Sequence, residues 1–402
     1  MGRCIGLDVH RDFAQVAMVD NGLLVDAGRV DCRPRALRDW AARELRPDDQ
    51  VALEATGNSD AIAAVLAPHV ARVVVANPAK TRVIAEAKVK TDKVDARILA
   101  QLLAADFLPP VWLPDERTRM LRRLATRRAH LVRQRVRLKN QVQAILFRNL
   151  IDRPPVADLF GRHGRCWLQA QPLPADEQHT VAALLRQLDF HGDELARVDR
   201  ELATCALDDA TARRLMTLPG VDVTIAMSIV AAVGDFHRFA TADKLVAYLG
   251  LNPKVRQSGG LAPVHRHIAK TGSAQARAMM VEAAWCAART AGPLHAFYER
   301  IRRRRGVPIA IVATARKITI LCWHLIVKDQ DYAFARPSLV AFKQRKLQLA
   351  AGAPSKRGSR RGIGYDYNHK DVRDHERAVV QTAERAYETL VAGWQPRRPA
   401  NR

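Results

Sequence analysis

Residues 3–30 read RCIGLDVHRDFAQVAMVDNGLLVDAGRV. Three short β-rich runs, 3–9, 13–20 and 23–30, are joined by turn residues, of which Asp20-Asn21-Gly22 is the clearest. The stretch therefore predicts an antiparallel meander. Working outward, the pattern predicts a helix around 35–45, a strand at Gln50–Glu54, a helix near 59–68, a strand at Arg72–Ala76, and helices near 78–87 and 92–106. A meander followed by alternating helix and strand is the element order of an RNase H-like α/β fold, though other α/β folds share it. Pro109, Pro110 and Pro114 then mark a boundary.

Alternation along the first strand sends Ile5, Leu7 and Val9 one way and Gly6, Asp8 and His10 the other. Along Gln50–Glu54 it sets Val51 and Leu53 against Ala52 and Glu54. Each acid thus sits on a strand whose other face is apolar, where a half-buried carboxylate needs a partner. Asp92 and Asp95 share a face at the start of a helix, and Asp95 lies on the stripe of Ile98, Leu99 and Leu102, so it is expected to point to the sheet. Four such carboxylates can hold two Mg²⁺ ions about 3.5–4 Å apart for in-line phosphoryl transfer. Singly, each acid has a plainer reading. Asp92 can serve a helix N-terminus capped by Thr91, Asp8 can end a strand, and Glu54 can pair with a lysine. The ordered set, in a neutral module beside a basic one, favours the metal site.

Charge is divided unevenly. The chain has 402 residues with 65 Lys and Arg against 41 Asp and Glu, a net +24. Residues 1–110 are neutral, with 15 of each sign, whereas 111–150 carry 11 basic and 2 acidic side chains. That excess argues against a small-molecule enzyme and for a polyanionic partner. Six cysteines, far apart and without a CxxC, suggest neither a disulfide framework nor a zinc knuckle, and His163 with Cys166 makes only half a zinc site. The most apolar run, Ile309 to Val327, has Arg316 and Lys317 at its middle, so no bilayer span is expected. A soluble, cytoplasmic, nucleoid-associated protein is expected.

Residues 116–150 contain neither Gly nor Pro and carry a heptad seam, Leu121, Leu124, Arg128, Leu131, Arg135, Leu138, Val142 and Ile145. A second seam follows at Val181, Leu184, Leu188, His191, Leu195, Val198, Leu202 and Cys205. Together they predict an antiparallel coiled-coil arm. Arg128 and Arg135 are costly in a plain core, and so are expected to snorkel or meet a phosphate backbone. Arg122, Arg123, Arg127, Arg133, Arg137 and Lys139 are the best candidates for a phosphate grip, the alternative being a solvated helix face. Residues 211–335 read as a mostly helical module. Within it, Leu218-Pro219-Gly220-Val221 before an apolar helix looks like a hairpin whose amides meet a phosphate. Arg256-Gln257-Ser258-Gly259-Gly260, followed by His265, Arg266, His267 and Lys270, offers a nucleophile among cations. On spacing alone Ser-Gly-Gly is a turn. The tail from Pro337 onward is basic, with a helix over about 371–391, and is given no core role.

Gly6-Leu7-Asp8-Val9-His10, Glu54-Ala55-Thr56-Gly57, Lys90-Thr91-Asp92-Lys93-Val94-Asp95-Ala96, Leu218-Pro219-Gly220 and Ser258-Gly259-Gly260 occur in this order. Over roughly residues 3–330 the chain resembles the DEDD transposases of bacterial insertion sequences, the "one-ten" family of bridge-RNA-guided recombinases. The resemblance implies an RNase H/RuvC-like catalytic domain over 1–110, with Asp8, Glu54, Asp92 and Asp95 binding Mg²⁺ or Mn²⁺. It implies a coiled-coil arm over 111–208 and a helical transposase domain over 209–335, in which Ser258 forms a phosphoserine link to DNA. A basic tail, 336–402, runs past the family's usual end. Arg256 and Lys270 join the arm's Arg122, Arg123, Arg127, Arg128, Arg133, Arg135, Arg137 and Lys139 as expected nucleic-acid contacts. It further implies donor and target DNA paired by a noncoding guide RNA, and a homo-oligomer, dimer to tetramer, whose protomers share active sites. The family often has a small residue where Gln257 stands, which leaves Ser258 the sole serine there.

The expected function is DNA recombination by a mobile element. Alternatives are a hydrolytic RuvC-like junction nuclease needing only the tetrad, or a non-catalytic nucleic-acid-binding protein. An actin-like sugar kinase also opens on Gly-Leu-Asp, but a second phosphate loop is missing and +24 has no role there.

Overall fold

The computed structural model describes residues 2–84, 91–257, 264–355 and 362–393, and the chain divides into two compact units, Met1–Asp115 and Glu116–Arg402.

In the first unit, strands β1 (Cys4–Val9), β2 (Phe13–Asp20) and β3 (Leu23–Asp31) form the meander. Asn21 and Gly22 turn the second hairpin with φ of 47° and 82°, the two left-handed residues that a tight turn matched to strand twist requires. Then come α1 (Pro34–Glu44), β4 (Gln50–Glu54), α2 (Ser59–Leu66), β5 (Arg72–Ala76), α3 (Pro78–Ile84) and α4 (Asp92–Ala104). The sheet order is β3-β2-β1-β4-β5, with β1, β4 and β5 parallel.

The two faces of this sheet differ. Ile5, Leu7, Val9, Val51, Leu53 and Val75 are buried with Leu37 and Ala41 of α1 and Ile62, Ala63 and Leu66 of α2. On the other face, Ala52, Val74 and Ala76 pack with Leu99 and Leu103 of α4. There β1 presents Gly6: a Cβ at that position would lie 2.1 Å from the Ala96 carbonyl oxygen. Small residues on this face therefore let α4 seat almost backbone to backbone. The buried stripe of α4 is Ala96, Leu99, Ala100 and Leu103. It lies slightly round the helix from the expected Ile98, Leu99 and Leu102, because the glycine admits the side of the helix that carries alanines.

The second unit opens with α5 (Glu116–Arg148), α6 (Arg162–Gln169) and α7 (Ala175–Leu207). α5 and α7, 33 residues each, pack antiparallel, with Arg117 paired to Asp209, Arg128 to Asp199 and Arg148 to Glu177. Short elements follow: α8 (Ala210–Leu215), α9 (Val223–Val233), α10 (Ala242–Tyr248), β6 (Pro253–Arg256), β7 (Val264–Ile268) and α11 (Ala274–Ala287). The unit ends with α12 (Pro293–Arg305), α13 (Val307–Val327), α14 (Pro337–Ala350) and α15 (Lys370–Ala392). The apolar helix α9 is buried over most of its length at the centre. By length and composition α13 could cross a membrane, contrary to expectation, but here Ala310, Ile311, Ala315, Ile318 and Cys322 make it a core helix.

The module read as mostly helical is so, and it also holds a β-hairpin, β6–β7. One expectation is corrected, since the tail is not a bystander: Leu347 of α14 belongs to the main core, and Glu384 of α15 accepts from the Gly292 amide at 2.8 Å and pairs with His295 at 2.5 Å. Glu376, two turns earlier, accepts from both the amide and the hydroxyl of Ser338. With Val380 buried between them, these acids give α15 one docking face (i, i+4, i+8).

Candidate active site

Asp8 leaves the C-terminal end of β1 on the face that α4 covers. Leu7 stands opposite Leu53 in the parallel pair, so Asp8 and Glu54 emerge side by side. α4 begins beside them: the Thr91 hydroxyl accepts from the Val94 amide, and this cap starts the helix at Asp92, placing Asp92 and Asp95 in its first turn. Ligand atoms of Asp8, His10 and Asp92 all lie within 4.8 Å of one another. His10 Nε2 is 3.2 Å from Asp8 Oδ2 and 3.4 Å from Asp92 Oδ2. Burial pushes the Asp8 carboxyl above its usual range; His10 opposes this, while the charges of Asp95 and Asp92 add to it. Of the four expected acids, Asp8 and Asp92 share the cluster directly and Asp95 acts on Asp8 through its charge.

His10 is the site residue that sequence reasoning passed over. Its signal was there, since period two puts it on the face of Asp8. Its amide donates to the Phe13 carbonyl, its ring stacks near Phe13 at 4.8 Å, and Asn58 donates to its carbonyl. The donor set, half-buried carboxylates crowded around one imidazole, suits a divalent cation.

Ser258 lies outside the described residues, in the segment between β6 and β7. The base of that hairpin is tightly defined. Gly250 and Gly272 have φ of 69° and 71°, and a Cβ on either would fall within 2.2 Å of a backbone oxygen across the crossing. Arg277 Nη1 donates to the carbonyls of Leu249 and Thr271 there. Arg256 is exposed at the far end, opposite Val264, whereas the Lys270 amide bonds the Gly250 carbonyl at the base. The structure thus puts these two cations at opposite ends of the hairpin.

The hairpin-like turn before α9 is used within the fold. The Asp222 carboxylate already caps α9. Gly220, φ 78°, is packed under α11, and Lys343 Nζ of α14 donates to the carbonyls of Met216, Leu218 and Val221, each at 2.8 Å.

Most of the arginines proposed as a phosphate grip also have partners. Arg122 donates to the Ala231 and Ala232 carbonyls at the end of α9, Arg123 pairs with Glu116, Arg127 with Glu194 and Arg128 with Asp199. Lys139 lies over the Phe160 ring, and Arg135 fills the space that Gly192 leaves open. Arg133 and Arg137 are exposed, with no hydrogen bond or ion pair among the described residues.

Residues 5–149 match a transposase family of the DEDD, IS110 type, and residues 212–299 match the family described as Transposase IS116/IS110/IS902. The chain carries IS110/IS116/IS902 family transposase domains. A "Probable family 20 transposase" of Pseudomonas aeruginosa is 26% identical over 341 residues, 82% of this chain and 98% of the relative. The transposase for insertion sequence element IS1111A of Coxiella burnetii is 23% identical over 82% of this chain and 91% of its own. A pilin gene-inverting protein of Moraxella bovis is 27% identical over 52% of this chain and 57% of its own. The transposase is an enzyme of DNA recombination, its family's DEDD type implies a divalent metal, and its substrate is DNA.

Proposed function

We propose that this transposase cuts and rejoins donor and target DNA with two instruments: a Mg²⁺ or Mn²⁺ centre held by Asp8, Glu54, Asp92 and Asp95, and the serine nucleophile Ser258. The convergence of Asp8, His10 and Asp92 carries the reading, since like charges drawn together at the strand ends call for a cation. Such an ion, when bound, supplies charge stabilisation at a scissile phosphate. Asp8 and Asp92 provide oxygen donors fixed by β1 and by the capped start of α4. His10 orients both carboxylates and is itself a candidate ligand. In the serine step, the Ser258 hydroxyl oxygen bonds to phosphorus while a phosphorus–deoxyribose oxygen bond breaks. The serine proton is lost and the departing sugar oxygen gains one. Rejoining reverses these bonds with the hydroxyl of another strand.

The RNase H/RuvC-like assignment of the first unit rests on its strand order and on the site at its strand ends. The coiled-coil reading of α5 and α7 rests on their antiparallel packing. Guidance by a noncoding RNA and assembly as a dimer to tetramer rest on the family resemblance.

Covalent trapping tests the chemistry. Protein, Mg²⁺ or Mn²⁺, RNA transcribed from the element's flank and labelled element-end DNA are incubated and run on a denaturing gel. A protein–DNA adduct lost in Ser258→Ala, and lost together with all cleavage in Asp8→Asn, is expected. Free cleaved DNA without adduct removes the serine and leaves a hydrolytic nuclease. Undiminished cleavage by Asp8→Asn removes the metal centre.

A further inference from the structure

The strongest unmatched charge in the described residues lies where α12 turns into α13. The sequence there runs Glu299-Arg300-Ile301-Arg302-Arg303-Arg304-Arg305-Gly306, and no acid follows until Asp329. Arg302 is engaged with Glu299 at 2.8 Å, and the Arg300 guanidinium lies over the Phe297 ring at 5.5 Å. Arg303, Arg304 and Arg305 are exposed and make no hydrogen bond or ion pair among the described residues. Gly306, φ 79°, ends α12 at once, and residues 302–309 are all exposed, so the corner projects from the unit.

We infer that this corner is a grip for the phosphate backbone of duplex DNA. Five arginines in two helical turns repel one another, and the helix C-terminus offsets only a fraction of that. A run of this kind is favourable when an external polyanion is bound. Successive residues turn by about 100° around a helix, so Arg303, Arg304 and Arg305 fan around the helix end and suit a row of phosphates better than one anion. No aromatic side chain occurs in 302–309, which disfavours a single strand held by base stacking. Duplex backbone requires only the cations. Arg127, Arg128 and Arg148 of α5 are the counter-example, because α7 supplies an acid for each.

The inference rests on the DNA-recombining function and not on the serine or the guide RNA. Its test is binding of a random-sequence 30-base-pair duplex across a salt series, with single-stranded and duplex RNA of the same length in parallel. The triple variant Arg303→Gln, Arg304→Gln, Arg305→Gln is expected to reduce the slope of log K against log salt by about 2–3, and affinity at ~0.1 M salt by about a hundredfold, on duplex DNA. Arg304→Gln alone, folded on any account, is expected to reduce the slope by about one. Arg127→Gln, whose arginine is already paired, keeps the parental slope. An unchanged slope in the triple variant overturns the inference, and so does a loss equal on, or confined to, either RNA. Asp8→Asn keeps the slope while losing cleavage, so failure of the catalytic reading is recognised separately.

Discussion

At the ends of β1 and α4, like charges are held together; along α5 and α7, opposite charges are matched. Asp8 and Asp92 crowd one imidazole, with the charge of Asp95 acting on Asp8, whereas Arg127, Arg128 and Arg148 each meet an acid of the neighbouring helix. Crowding of the first kind costs stability and is kept for what it binds. Matching of the second kind holds two helices in register and is used up in doing so. Substitutions in the two regions should therefore differ in sign. Removing a site carboxylate inactivates without unfolding, and removing an arm arginine loosens the fold while leaving the chemistry alone.

The crowding depends on how closely α4 sits on β1, so the largest effect is expected from a residue that touches no ligand. In Gly6→Ala the new Cβ would fall 2.1 Å from the Ala96 carbonyl oxygen and 2.6 Å from the Ala100 amide nitrogen. Backbone has to move, at a cost of about 1–3 kcal/mol, and α4 carries Asp92 away from Asp8. The expected outcome is loss of strand cleavage and of the rise in Tm on adding Mn²⁺, with the far-ultraviolet circular dichroism retained. A full Mn²⁺-dependent rise in this variant breaks the link between helix approach and metal site.

Lys343 is an intermediate case, a cation matched by three carbonyls and buried with them. Burial pulls its ammonium down from the ordinary 10.5 to about 8. Between those values the unfolded chain holds the proton and the folded chain does not, so stability rises with pH across that window, by at most about 3 kcal/mol. Below pH 8 the group contributes no slope. Lys343→Met removes the rise and, by orphaning the three carbonyls, costs about 2 kcal/mol at neutral pH. Urea melts at pH 7.5 and 9.5 check both; a parental slope in the variant assigns the titration elsewhere.

The strand ends were legible because period two is strict: it put Gly6, Asp8 and His10 on one face and foretold the meander down to its Asn21-Gly22 turn. It set His10 beside Asp8 but could not show Asp92, which α4 brings to the other side of the imidazole. The β6–β7 hairpin was missed because Pro253-Lys254-Val255-Arg256 is too short for its alternation to register and opens on a proline. The docking of α15 was missed because Glu376 and Glu384 find their partners 38 and 92 residues away. The partners of Arg127 and Arg128 were not legible for the same reason. Their acids lie some 70 residues along the chain, and a cation count cannot distinguish a strut from a phosphate ligand.

The smallest effect tests that distinction most directly. Arg128 stands in the seam with its side chain about 20% exposed, and Asp199 opposite is about 39% exposed. A pair this sheltered is worth more than one in full solvent, yet it remains near the surface range, so Arg128→Gln should cost about 1 kcal/mol. Arg123→Gln breaks a pair whose members are both more than 60% exposed and should cost almost nothing. A double-mutant cycle with Asp199→Asn isolates the Arg128 contribution. If Arg128 is a strut, the cycle shows coupling and the salt slope for duplex DNA stays parental. If it is a phosphate ligand, coupling vanishes and the slope drops by about one, because the guanidinium then has its partner outside the protein.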